Sequence, residues 1–108
     1  MMQANEIRQQ FSGIGETIHQ AADACARADG VPMDLKDCVQ QMDQRTDQIM
    51  QEMQSADQSR MVECIDEMEQ MGDQAKAACE RAGQVNDELR EAVMQAHQQL
   101  SDLKHQLH

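Results

Sequence analysis

The sequence predicts an all-α protein, an antiparallel up-down-up-down four-helix bundle. Three observations lead there. Apolar residues recur at three- and four-residue spacing through nearly all of the 108-residue chain. Turn-forming or helix-capping residues interrupt that spacing at three places, leaving four segments of similar length. The chain holds one aromatic residue, Phe11, and few β-branched ones, so its core must come from Leu, Ile, Val, Met and Ala. That composition suits helices better than sheets. The length fits one domain, and the expected helices cover 3–28, 34–54, 58–82 and 86–107.

The first helix rests on the stripe Ile7, Phe11, Ile14, Ile18, Ala21, Cys25 and Ala28. It stops at Asp29-Gly30-Val31-Pro32, because glycine accepts the left-handed conformation at a helix end and proline cannot continue the helix. Asp34 is the expected N-cap of the second helix, with Asp37 in the capping-box position. Its stripe is read as Leu35, Cys38, Met42, Thr46, Ile49 and Met53.

Neither glycine nor proline separates the second helix from the third. The register does. Met53 to Met61 is eight residues, a slip of about 80° around a helix, and capping residues cluster at Ser55-Ala56-Asp57-Gln58-Ser59. Carried through at heptad spacing, one long helix would place Arg60, Glu63 and Glu67 in the core, so a turn is expected here. The third stripe is Met61, Ile65, Met68, Gly72, Ala75, Cys79 and Ala82, closed by Gly83. Asn86 caps the fourth helix, and Asp87 and Glu88 suit the positive end of its dipole. Its stripe, Leu89, Val93, Ala96, Leu100, Leu103 and Leu107, alternates four and three throughout, as in a coiled-coil seam. Lys104, His105 and His108 lie at its negative end.

Charge excludes several functions. Nine Lys and Arg stand against 20 Asp and Glu, a net charge of −11. The basic residues are scattered and base-stacking aromatics are missing, so nucleic acid is not an expected partner. Anionic membrane surfaces are disfavoured for the same reason, and no apolar run is long enough to span a bilayer. The first residues, Met1-Met2-Gln3-Ala4-Asn5-Glu6, have neither the basic nor the apolar region of a secretory signal. A cytoplasmic location follows as the expectation, with the four cysteines reduced.

Two sets of residues are candidates for function. The first is Cys25, Cys38 and Cys79. Helix lengths place Cys25 and Cys38 roughly 8 Å below one end of the bundle and Cys79 four residues before the turn at that same end, one on each of three helices. Soft thiolates in one layer would bind Cu(I) or Zn(II), or Cys25 and Cys38 would staple the first hairpin as a disulfide. The alternative is that they pack as small apolar side chains. Cys64 lies at the other end, about 22 Å from Cys79 along one helix.

The second set is methionine. Met50, Met53, Met61 and Met68 lie on adjacent helices, and a surface rich in thioethers would make a plastic partner-binding face or a copper site. The alternative is that they fill a core that lacks aromatics. Glu16-x-x-His19 and Asp102-x-x-His105 have the carboxylate-x-x-His spacing of di-iron bundles, but the apolar stripes turn Glu16 and His105 outward. His97, His105 and His108 near the C-terminus offer a further place for a stray metal ion.

No glycine-rich phosphate loop and no nucleophile with its base can be picked out. The sequence therefore reads as a small acidic bundle working through protein–protein contacts, as an adaptor, a regulatory partner or a self-associating module. The alternative is a thiol or metal protein using Cys25, Cys38 and Cys79.

Overall fold

A computed structural model describes residues 3–108. Four helices run α1 Ala4–Arg27, α2 Met33–Met53, α3 Gln58–Ala82 and α4 Asp87–Leu107. Each packs against its chain neighbours, α4 closes back on α1, and α1 also touches α3 across the diagonal. This is the antiparallel four-helix bundle that the periodicity predicts. Its 41 Å long axis is little more than one helix of 21–25 residues.

Local chemistry explains the turns. Ala28 donates to the Ala24 carbonyl at 3.0 Å, and Gly30 then takes φ 74°. Pro32 stands at the N-cap of α2, which begins one residue earlier than the sequence suggests. Asp34 is therefore inside the first turn rather than at the cap. Its Oδ1 accepts from the amide of Leu35 at 2.9 Å, and its other oxygen meets Arg81 of α3 at 3.2 Å.

The chain does break between α2 and α3. Gln54 and Ser55 donate to the carbonyls of Gln51 and Glu52, tightening the last turn, and Asp57 caps α3 by accepting from the amide of Arg60 at 2.8 Å. At the third turn Gly83 takes φ 76°, Arg90 hydrogen-bonds the Gly83 carbonyl, and Asn86 accepts from the amide of Leu89.

The core follows the expected stripes with informative exceptions. On α2 the buried set is Leu35, Val39, Met42, Thr46, Ile49 and Met53. Val39, not Cys38, holds the core position. The strict four-three alternation fixed by Met42, Thr46, Ile49 and Met53 runs back through Val39 to Leu35, and Cys38 lies about 100° off that seam. Ala28, Ala82 and Leu107 are only partly buried at the ends of their stripes.

Thr17, Ala24, Cys64, Ala78 and Ala92 join the interior and widen it. The hydroxyls of Thr17 and Thr46 donate to the carbonyls of Gly13 and Met42, so neither brings an unpaired polar atom into the core. Gly15 is a packing requirement, because a Cβ there would lie 3.0 Å from Cγ2 of Thr46 on α2. Glycine lets α1 and α2 approach closely at mid-height.

The single aromatic ring is fully buried. Phe11→Ala should lower the unfolding free energy by about 3–5 kcal/mol in urea titrations. Met33→Ala, at the one large apolar side chain exposed among the described residues, should change it by less than about 0.5 kcal/mol.

Candidate functional site

The three candidate thiols do not meet at one point. Cys25 and Cys79 are buried in the interior, and Cys64 is buried at the opposite end, beside the α2–α3 turn. Cys38 is half-buried on the flank of α2 that faces α3, one turn from the Asp34–Arg81 ion pair. Among the described residues, one set of three His, Cys, Asp or Glu donor atoms lies mutually within 4.8 Å, and it is Glu69, Asp73 and His97. Cys25, Cys38 and Cys79 form no such set, because Cys38 has left the core stripe. All four sulfurs are unbonded, Cys25 and Cys38 included.

The thiols are also electronically quiet. Burial pushes Cys25 and Cys79 up, and a charge on Cys25 would raise Cys79 further. Cys38 is raised by burial first and then by Asp34. Cys64 is pushed up to about 11 by burial and by its 3.3 Å hydrogen bond to Glu52, to which the thiol donates. At neutral pH these are protonated thiols, not nucleophilic thiolates.

The methionines divide differently from the expectation. Met53, Met61 and Met68 are 0% exposed. In the folded chain no atom of them meets a partner, and they fill the volume that aromatics occupy in other cores. Met50, one position from the seam residue Ile49, is half-buried and alone of the four reaches the surface.

Met50 helps line a groove of about 400 Å³ between α1 and α2. From α1 the groove takes Ser12, Gly15, Glu16, His19 and Gln20, and from α2 it takes Asp43, Thr46, Asp47 and Met50. Gly15 against Thr46 sets its floor, with Met50 adding a thioether. Its rim is acidic, and no Lys or Arg lines it. His19 reaches across to Asp43 at 3.4 Å and lies 3.8 Å from Asp23. The Asp43 hydrogen bond, then the charges of Asp23 and Asp43, raise the His19 imidazole above its ordinary value. Glu16 and His19 thus do face outward, and Asp102 and His105 are exposed on α4.

Ion pairs bind the other seams. Arg45 of α2 pairs with Glu67 of α3, and Arg60 reaches Glu52 and Glu63. Arg27 of α1 pairs with Glu88 of α4. Between α3 and α4, Lys104 meets Glu69 at 3.4 Å and His108 meets Asp66 at 2.9 Å. Hydrogen bonding from Arg45 holds the Glu67 carboxyl below the usual range. Glu52 is lowered too, first by the Cys64 thiol and then by Arg60.

Sequence reasoning named Glu16, His19 and Met50 but missed Asp43, Asp47, Glu69 and Asp73. Exposed acidic residues carry no periodic signal. The available hints were Gly15 inside a helix, which implies close approach of another element, and the like-charged pair Glu69 and Asp73 four residues apart. Comparison with protein-family models, with curated proteins and with solved structures finds no match to this chain.

With an aromatic disulfide reagent on the native protein, Cys38 should react first, and the other three thiols should react only as the chain unfolds. Four thiols reacting at one fast rate would contradict this burial pattern. Glu67 carries a lowered folded-state pKa, so its contribution is present above the ordinary carboxylate range and is lost as pH falls through it. Glu67→Gln should therefore lower the melting temperature at pH 7, and the difference from the parent should shrink below about pH 4.

Proposed function

We propose that the protein is a small acidic interaction module, working in the cytoplasm, that docks a cationic segment of a protein partner in the α1/α2 groove. The observation that carries this reading is the unbalanced charge of that groove. Elsewhere Arg27, Arg45, Arg60, Arg81 and Lys104 are engaged with carboxylates of neighbouring helices. In the groove Glu16 of α1 and Asp43 and Asp47 of α2 line the walls, and His19 is the one basic side chain among them.

A Lys or Arg side chain suits such a site chemically. Its aliphatic stem covers the floor of Gly15, Thr46 and Met50, and its charged head meets the carboxylate rim. The rest of the surface supports a charge-based mode of docking, since Met33 is the one large apolar side chain exposed among the described residues. Steering by a net charge of −11 would speed encounter with a basic partner. The same charge disfavours nucleic acid as a partner.

The test is fluorescence anisotropy with a labelled Lys/Arg-rich peptide, at low and at physiological salt. Glu16→Gln/Asp43→Asn/Asp47→Asn should weaken binding about tenfold, near 1.4 kcal/mol. Asp29→Asn/Glu80→Gln/Glu91→Gln, the same change in charge placed elsewhere, should leave it within about twofold. Equal losses in both triple variants would mean non-specific attraction and would overturn the assignment of the groove. So would the absence of peptide binding.

A further inference from the structure

The α3/α4 seam carries the other cluster, the one place among the described residues where three donor atoms of metal-ligating type converge. We propose that Glu69, Asp73 and His97 form a site for a divalent transition-metal ion of the Zn(II) type. Glu69 and Asp73 stand one turn apart on α3. His97 comes from α4, with Nε2 placed 2.5 Å from Oδ1 of Asp73.

The backbone favours this meeting. Gly72 lies between the two carboxylates in sequence, and a Cβ there would come within 3.3 Å of Leu100 Cδ1 and 3.8 Å of the His97 Cα. Glycine at that point brings α4 close enough for the imidazole to lie against α3, where its side chain is 18% exposed.

Charge favours a cation. Two carboxylates four residues apart on one helix repel each other. Glu69 is the more withdrawn of them, with its side chain only 13% exposed, and among the described residues its one ion-pair partner is Lys104 at 3.4 Å. Lys104 is in turn 40% exposed on a flexible stem. A divalent ion between the carboxylates and the imidazole would neutralise both acids, and Lys104 would swing back to solvent.

The donor set selects the ion. Zinc accepts carboxylate oxygen and imidazole nitrogen at about 2.0–2.2 Å, and three such ligands leave its fourth position open to water. Imidazole favours zinc, nickel or copper over magnesium or calcium, which take oxygen ligands. The imidazole must give its Nε2 lone pair to the metal. The proton in the His97–Asp73 hydrogen bond then moves to Nδ1 or to solvent.

The site stands on the seam opposite the α1/α2 groove and shares no residue with it, so either assignment can fail alone. It also differs from the thiol set that the sequence suggests. The ligands are harder donors on the outside of the bundle, and the cysteines take no part.

The experiment is calorimetric titration of the full chain with zinc chloride, in a phosphine-reduced, non-chelating buffer at neutral pH. One Zn(II) per chain should bind. His97→Gln and, separately, Asp73→Asn should each weaken binding at least about tenfold. Cys38→Ser should leave it unchanged. Added Zn(II) should raise the melting temperature of the parent protein but not that of His97→Gln. The Co(II)-loaded protein should show ligand-field bands without thiolate charge-transfer absorption. The proposal falls if no Zn(II) binds, if both ligand variants bind as the parent does, or if Cys38→Ser abolishes binding. Thiolate absorption in the Co(II) form would also overturn it. Because Asp73 is 57% exposed, Asp73→Asn keeps the test decisive even if His97→Gln folds poorly.

Discussion

Everything in this structure depends on closing four apolar stripes around one another with almost no aromatic volume. A single stripe on an amphipathic helix is too wide to be covered by one neighbour, so each helix must meet two. Leu, Ile and Val supply the regular seam of α4 and much of α1 and α2. Met42, Met53, Met61 and Met68 supply bulk where a ring would otherwise sit, and their unbranched side chains conform to irregular gaps. At the other end the interior is built from Ala21, Ala24, Cys25, Ala75, Ala78 and Cys79, and small side chains there suit the contact between α1 and α3 across the diagonal.

A filled core directs function outward. The small void among Ile18, Ala21, Val39, Met42, Val93 and Ala96 has about 10 Å³ and apolar walls, which offer a water no partners and leave no room for a reactant. The same filling accounts for the cysteines. Three are buried as small apolar groups, with their thiols raised away from reactivity, and the fourth sits on a flank beside Asp34 and Arg81. What the outside offers is charge. Lys and Arg pair with carboxylates along three of the four seams, and each pair contributes little by itself in water. The α1/α2 seam is the exception, where Glu16, Asp43 and Asp47 line the groove and His19 is the one basic side chain. The α3/α4 seam holds its surplus in Glu69 and Asp73, closed over by His97.

The helices were legible because burial writes a period into the sequence. The break at 54–57 is a clear case. No glycine or proline marks it, yet the register slip between Met53 and Met61 reveals it, since a continuous helix would have buried Arg60, Glu63 and Glu67. Errors arose where two neighbouring residues compete for one stripe. Cys38 and Val39 are both apolar, and only the packed seam shows that Val39 faces inward. Asp34 failed as a cap because Pro32 starts the helix sooner. The role of the methionines was not legible because the same side chain serves a core and a docking face equally well, and exposure alone separates the two uses.

By itself, then, the sequence determined the helical class, the four segments, the acidic surface and most of the core. Each of these depends on local periodicity, capping chemistry or summed charge. Only the tertiary structure decided which polar side chains meet. Asp43 joins Glu16 and His19, and Asp73 joins His97, because Gly15 and Gly72 let particular helices approach at particular heights. The His19–Asp43 and Asp73–His97 pairings each span 24 residues, across a turn. Exposed positions face no packing constraint that would imprint a pattern along the chain, so their meeting is set by helix order and register alone.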